Sequence, residues 1–217
     1  YSVMLKIAHR GFCDDVPENS LRSVQKAIEF NFDMIEIDIQ LDRNNEIVLY
    51  HDIYLDNHYV SDLSFDEIKE KVPHAITLLS LLQEVDYRHI RLYIDMKGNE
   101  NLAHKLIAFI ERHNIDVTNI WFGSFNMQHL HILQEHAPSF KIGLITSNSL
   151  SLDILSLVVK QYRLSFVACK WYMLNKDSIA LLKENGCLVF AYTLQKFPQH
   201  ELIRKVPLHG IVTDIWF

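Results

Sequence analysis

Four short segments set acidic, imidazole and basic side chains directly after apolar runs: His9-Arg10-Gly11, Glu36-Ile37-Asp38, His51-Asp52 and Asp95-Met96-Lys97. A packed core has no use for such groups, because an unpaired buried charge is strongly destabilising. Glu36 and Asp38 stand two residues apart in a β-branched run. In a strand both carboxylates would point to one face, while Ile35, Ile37 and Ile39 pack the other way. Asp95 holds a matching position in a later run, and three converging carboxylates form an oxygen-only set suited to Mg²⁺ or Ca²⁺ rather than a soft metal. His9 and His51 each close an apolar run and open a loop, and imidazole titrates near neutral pH, so the two form an acid and base pair in waiting. Arg10 and Lys97 can grip phosphate oxygens, arginine as a bidentate fork and lysine as a point charge. Such a set would hold a divalent metal and cleave a phosphodiester. Taken singly, each residue also has a structural reading: a carboxylate paired across a sheet, one hydrogen-bonded histidine among 12, a salt bridge at a strand end. Their shared placement favours a site.

The elements that must position them recur along the chain. Apolar, β-branched and aromatic runs at 3–8, 34–39, 47–50, 91–94, 120–122, 141–145, 166–169, 188–192 and 210–212 read mostly as strands buried on both faces. Between them Leu21/Val24/Ile28, Leu102/Leu106/Phe109, Leu130/Leu133, Leu152/Leu155/Val159 and Ile179/Leu182 have helical spacing. Asn19 and Ser20, the capping-box pattern Ser64-Phe65-Asp66-Glu67, and Asn175 mark helix starts, and Gly186 marks a stop. Alternation of strand and helix about eight times in one chain implies a parallel sheet, either doubly wound or closed. Closure is favoured because the reactive residues follow several different strands, and only a barrel brings all its strand ends to one rim. The Asn44-Asn45 pair between two strand-like runs reads as a hairpin turn that returns His51 to the rim beside Glu36 and Asp38. The fold expected is an α/β (β/α)8 TIM-type barrel, one domain over 1–217 with a short insertion at about 53–76.

Composition narrows the function classes. A chain of 217 residues with 49% hydrophobic content can bury one sizeable core. The formal net charge of -6, with positive and negative residues interspersed, argues against a nucleic-acid surface. Cys13, Cys169 and Cys187 are odd in number and lack a CxxC pair, so neither a disulfide framework nor a zinc ribbon is indicated, which points to a reducing, cytoplasmic setting. No apolar run approaches the roughly 18 to 20 residues that span a bilayer, and no signal-type segment opens the chain. The chain opens on Tyr1 rather than Met, which leaves the compartment open.

His9-Arg10-Gly11, Pro17-Glu18-Asn19-Ser20, Glu36-Ile37-Asp38, His51-Asp52, Asp95-Met96-Lys97 and the closing Gly210-Ile211-Val212-Thr213-Asp214 together resemble the glycerophosphodiester phosphodiesterase family, in order and spacing from residue 7 to 215. The resemblance implies a TIM-type barrel and a divalent cation, Ca²⁺ or Mg²⁺, bound by Glu36, Asp38 and Asp95. It implies His9 and His51 as general acid and base, with Arg10 and Lys97 at the phosphate. Hydrolysis of glycerophosphodiesters to sn-glycerol 3-phosphate and an alcohol, in glycerophospholipid catabolism, follows from it. It also places Glu18 near metal or substrate, although Glu18 equally suits the start of a helix. Three positions depart from the family pattern. The stretch from His51 to Asp95 is short, Asp95 stands where a Glu is frequent, and Tyr192-Thr193 replaces a Trp-Thr pair, so Tyr192 becomes the candidate aromatic wall.

Two other functions use the same residues. A phospholipase D-like enzyme acting on lysophospholipid or sphingolipid head groups would need exposed apolar side chains beside the mouth, from Ile53-Tyr54-Leu55 or Trp171-Tyr172-Met173, and would make transient contact with a lipid surface. A catalytically silent phosphate-binding barrel would have lost a histidine or a carboxylate, and none is lost. Nicotinamide and flavin are not indicated, since no GxGxxG follows a strand. Water and the substrate's own glycerol hydroxyl stay open as nucleophile, His9 is favoured as base and His51 as acid, and the alcohol and oligomeric state are not encoded legibly.

Overall fold

The structure, a computed structural model, describes residues 4–217, so Val3 of the first expected strand lies outside the described residues. The chain begins with β1 (Leu5–Ala8), α1 (Leu21–Glu29), β2 (Met34–Leu41) and β3 (Ile47–Leu49), then a small pair β4 (Tyr54–Leu55) and β5 (His58–Tyr59). It continues through α2 (Phe65–Lys71), α3 (Leu78–Glu84), β6 (Leu92–Met96), α4 (Asn101–His113), β7 (Ile120–Ser124) and α5 (Met127–His136). The last part holds β8 (Lys141–Thr146), α6 (Leu152–Tyr162), β9 (Phe166–Lys170), α7 (Lys176–Glu184), β10 (Leu188–Leu194), α8 (Phe197–Ile203) and β11 (Gly210–Thr213). Strands β1, β2, β6, β7, β8, β9, β10 and β11 pair in parallel in that order, and β1 closes the ring by pairing with both β2 and β11. This is the (β/α)8 barrel expected from the alternation. No helix among the described residues is long and apolar enough to cross a membrane.

The local signals act as their chemistry dictates. The Ser20 hydroxyl caps α1 by accepting from the Ser23 N–H, Ser64 and Glu67 form a reciprocal capping box on α2, and Asn175 caps α7. β2 and β3 form the antiparallel hairpin, with Leu41 opposite Ile47, and Asn45 takes a positive φ of 61° in the turn. Several strands run past their expected ends, β2 to Leu41 and β7 to Ser124, because ladder hydrogen bonds continue after the apolar run stops.

Two apolar layers hold the barrel. Outward-facing Ile35, Ile37, Ile39, Leu92 and Ile94 pack beneath the helices, alongside Leu102, Leu106 and Leu130. Inside the ring, Ile7, Met34, Tyr93, Phe166, Phe190 and Val212 fill the lumen. Phe166 lies 5.2 Å from Tyr93 and 5.2 Å from Phe190, centroid to centroid. Strand glycines make the room: a Cβ at Gly143 would sit 2.5 Å from the Phe166 ring and one at Gly123 would sit 2.8 Å from Tyr93. Burying one such aromatic contributes on the order of 2–3 kcal/mol, so this plug both stabilises the lumen and forms a dry floor beneath the rim.

Candidate active site

The turn after β1 starts the site. Arg10 and Gly11 both have positive φ, 57° and 81°, and the missing side chain of Gly11 lets the backbone lie against α1, where a Cβ would approach the Ser23 hydroxyl oxygen to 2.3 Å. The Arg10 N–H donates to Glu36 Oε2 at 2.9 Å and the Gly11 N–H to the Glu36 carbonyl at 3.1 Å, which ties β1 to β2 at the rim. The Arg10 guanidinium donates to Glu18 Oε2 at 2.6 Å, and its Nε lies 3.4 Å from Asp38 Oδ2.

Glu36 and Asp38 point together into the lumen above the aromatic plug, and Asp38 lies in register with Asp95 on the adjacent strand β6. Carboxylate oxygens of Glu36, Asp38 and Asp95 all lie within 4.8 Å of one another, and all three residues are buried. Burial, then repulsion from Asp38 and Asp95, holds the Glu36 carboxyl well above the usual range. Burial likewise lifts Asp95 to about 7, against the pull of Lys97. Lys97 Nζ donates to Asp95 Oδ2 at 2.7 Å and lies 3.4 Å from Asp38 Oδ1. Burial works against the Lys97 charge, but Asp95 and Asp38 outweigh it and raise its pKa. Asp95 Oδ1 is buried and has no hydrogen-bond partner among the described residues. Three mutually repelling oxygen donors with one orphaned oxygen fit a hard divalent cation.

The histidines stand at the same cavity, of about 270 Å³, lined by His9, Arg10, Glu36, Asp38, His51, Asp95 and Lys97 on its charged side. Phe125, Tyr93, Ile145, Tyr192 and Val212 line most of the rest, with Thr193 and Gln195 beside them. His9 Nδ1 lies 2.6 Å from Asp214 Oδ1, and His51 Nδ1 lies 2.7 Å from Asp52 Oδ1. A carboxylate only accepts, so each Nδ1 carries the hydrogen and each Nε2 is the ring atom left for chemistry. The Tyr192 hydroxyl donates to the Thr146 carbonyl at 2.9 Å, and its ring meets Phe125 edge-on at 6.3 Å. Glu18 lies outside this cavity, in a neighbouring cleft, and reaches the site through Arg10.

Three supporting residues escaped sequence reasoning. Asn19 donates to Asp38 Oδ2 at 2.9 Å and accepts from the Asp38 N–H at 3.0 Å, so a residue read as a helix-start signal orients one of the acids. Gln40 donates to the carbonyls of Tyr50 and Asp52, both at 2.7 Å, and clamps the loop on either side of His51. Its place two residues beyond Asp38, on the same strand face, was the available signal. Asp214, which the sequence shows only as the last residue of the closing Gly210–Asp214 motif, is the partner of His9. Thr213, by contrast, is fully buried and hydrogen-bonds only to backbone.

A model of the glycerophosphoryl diester phosphodiesterase family matches residues 9–215, nearly the whole chain. The chain belongs to this family. A glycerophosphodiester phosphodiesterase from Caldanaerobacter subterraneus subsp. tengcongensis is 27% identical, over 97% of this chain and 93% of that protein. The crystal structure of a glycerophosphodiester phosphodiesterase from Thermotoga maritima superposes with a TM-score of 0.83 at 22% identity, covering 99% of this chain and 96% of the other. A phosphodiesterase from Oleispira antarctica, solved in complex with the product sn-glycerol-3-phosphate, gives 0.83 at 21% identity, covering 97% and 92%. As a member of the glycerophosphoryl diester phosphodiesterase family, the chain is an enzyme, a phosphoric diester hydrolase.

Proposed function

We propose that this phosphodiesterase hydrolyses glycerophosphodiesters to sn-glycerol 3-phosphate and an alcohol, a step of glycerophospholipid catabolism, with Mg²⁺ or Ca²⁺ held by Glu36, Asp38 and Asp95. The observation that carries the reading is the pairing of each histidine Nδ1 with its own carboxylate, across a cavity that also holds the acidic trio, Arg10 and Lys97. A bound divalent cation supplies charge compensation for the phosphate. Arg10, fixed by Glu18 and Asp38, and Lys97, fixed by Asp95, hold phosphate oxygens and offset charge growing on them. His9 Nε2 takes the proton of the attacking water, or of the glycerol hydroxyl, whose attack would give a cyclic phosphate that water then opens, and Asp214 stabilises the imidazolium that results. His51 Nε2 gives a proton to the departing alkoxide, with Asp52 supporting its charged form and Gln40 holding its loop. Tyr93, Phe125 and Tyr192 form the wall for the glycerol moiety, and the dry floor strengthens each charge interaction above it.

A second substrate class has its own support. Phe125, at the cavity, and Tyr172, on the short 3-10 turn after β9, are 46% and 60% exposed, an apolar margin suited to the acyl chain of a lysophospholipid met at a lipid surface. Release of glycerol 3-phosphate from glycerophosphodiesters, with Mg²⁺, Ca²⁺ or EDTA present, tests the primary reading. Metal-dependent release is expected, and a folded sample that releases none under any condition would refute it. Turnover confined to micellar lysolipid would establish the second class instead.

A further inference from the structure

The catalytic cavity is closed on one side by Tyr93, Ile145 and Val212, so the alcohol of a diester held by Arg10 and Lys97 would extend from its polar side. Two clefts neighbour it. One, of about 290 Å³ beside Glu18, Tyr50 and His74, shares no lining residue with the catalytic cavity. The other, of about 530 Å³, includes Lys97 in its wall and so adjoins the cavity directly. It is bounded by the end of β2, the β2–β3 turn, Ile53 and Tyr59 of the insertion, and the start of α4. It also lies beside the loop bearing His51, since Gln40 in its wall holds Tyr50 and Asp52. That is the side on which the reading above puts the proton donor to the leaving alkoxide.

The charges of this cleft discriminate among alcohols. Its one acid, Asp42, is fully engaged: Oδ1 accepts the N–H groups of Asn44 and Glu46, and Oδ2 accepts that of Phe65, at 2.8–2.9 Å. Its two cations are Lys97 and Arg43, and Arg43 reaches Glu67 at 3.2 Å outside the lining. No carboxylate of the lining is left to receive an ammonium group, and its single aromatic ring, Tyr59, falls short of the aromatic cage that holds a quaternary ammonium, so the desolvation of such a head group would go largely uncompensated. Asn45, Ser61 and Asn101 instead offer amide and hydroxyl groups whose side chains hydrogen-bond to nothing among the described residues. Neutral donors and acceptors set in a polar recess are suited to a ligand with several hydroxyls.

We propose that this cleft receives the leaving alcohol and selects an uncharged polyol, such as glycerol or inositol, over the ammonium head groups choline and ethanolamine. The inference rests on the phosphodiesterase reading and adds the alcohol class to it. The test compares kcat/KM for glycerophosphoinositol, glycerophosphoglycerol and glycerophosphocholine at one fixed metal concentration, for the native chain, Arg43→Glu and Asn101→Ala. The native chain is expected to favour the polyol diesters at least tenfold. Arg43→Glu, which places a free carboxylate in the cleft, should shrink that preference severalfold by raising the choline rate. Asn101→Ala should lower the polyol rate alone. Equal or faster hydrolysis of glycerophosphocholine by the native chain overturns the assignment of the cleft while the phosphodiesterase reading stands. Absence of hydrolysis of every diester by folded protein overturns that reading, and the cleft assignment with it.

Discussion

The two halves of the barrel rim contrast sharply. On the side of β1, β2 and β6 the inward positions carry His9, Glu36, Asp38, Gln40, Asp95 and Lys97, nearly all hydrogen-bonded to one another or to backbone. On the side of β7 to β10 the same positions carry Gly123, Ile145 and Tyr192, with Phe125 leaning over Lys97 at 5.2 Å. The contrast teaches that neither half suffices. The apolar half and the plug beneath it lower the local dielectric, and this lifts Glu36 and Asp95 out of the usual carboxylate range; the charged half turns that environment to use.

Replacing either histidine breaks the charged half most severely. His9→Ala or His51→Ala should lower kcat by about 10²-fold to 10⁴-fold with an unchanged circular dichroism spectrum, and a variant of near-native rate would remove that histidine from the mechanism. Glu36→Gln separates function from stability. Activity should fall at least about 10²-fold, yet the metal-free protein should melt higher, by about 1–3 kcal/mol of added stability, because a buried repelling carboxylate is gone while the bond from the Arg10 N–H can persist. A lower melting temperature than native would show that the trio does not repel in the folded chain.

The same repulsion sets a pH dependence. With its pKa raised to about 7, Asp95 favours the metal-free fold when protonated; that contribution is complete below about pH 4, the unfolded value, and is lost as pH rises through about 7. Protons and cation compete for one trio, so added Ca²⁺ or Mg²⁺ should raise the melting temperature more at pH 8 than at pH 5.5. Equal shifts at both values would place the ion elsewhere. Gln40→Ala should slow turnover about tenfold by loosening the His51 loop, and rescue by Gln40→Asn would not be expected from so short a side chain. Phe125→Ala probes the apolar half and has the smallest effect, a rise in KM of about threefold to tenfold with kcat nearly kept. A large loss of kcat there would erase the division of labour between the halves.

Much of this could be read along the chain. The period-2 pattern of Met34–Ile39 put Glu36 and Asp38 on one face, and caps at Ser20, Ser64 and Asn175 marked helix starts. Helices α3 and α8 escaped. α3 is only seven residues, so its buried Leu78, Leu81 and Leu82 opposite Ser80, Gln83 and Glu84 span too short a window for the helical period to stand out, and α8 follows Lys196, which gives no ordinary capping signal. Asn19 and Gln40 escaped because their partners are set by the packing of other segments, not by neighbours in sequence.

By itself the sequence determined the alternation of strand and helix, the acidic, imidazole and basic residues at strand ends, and which of them share a face, since these follow from local periodicity. Tertiary structure alone decided that Asp214 serves His9 across 205 positions, that Asn19 orients Asp38, and that a polar cleft opens beside Lys97. It also decided the charge states. Desolvation of Glu36 and Asp95 depends on an aromatic plug drawn from β6, β9 and β10, and no local stretch of chain encodes a dielectric built from strands so far apart.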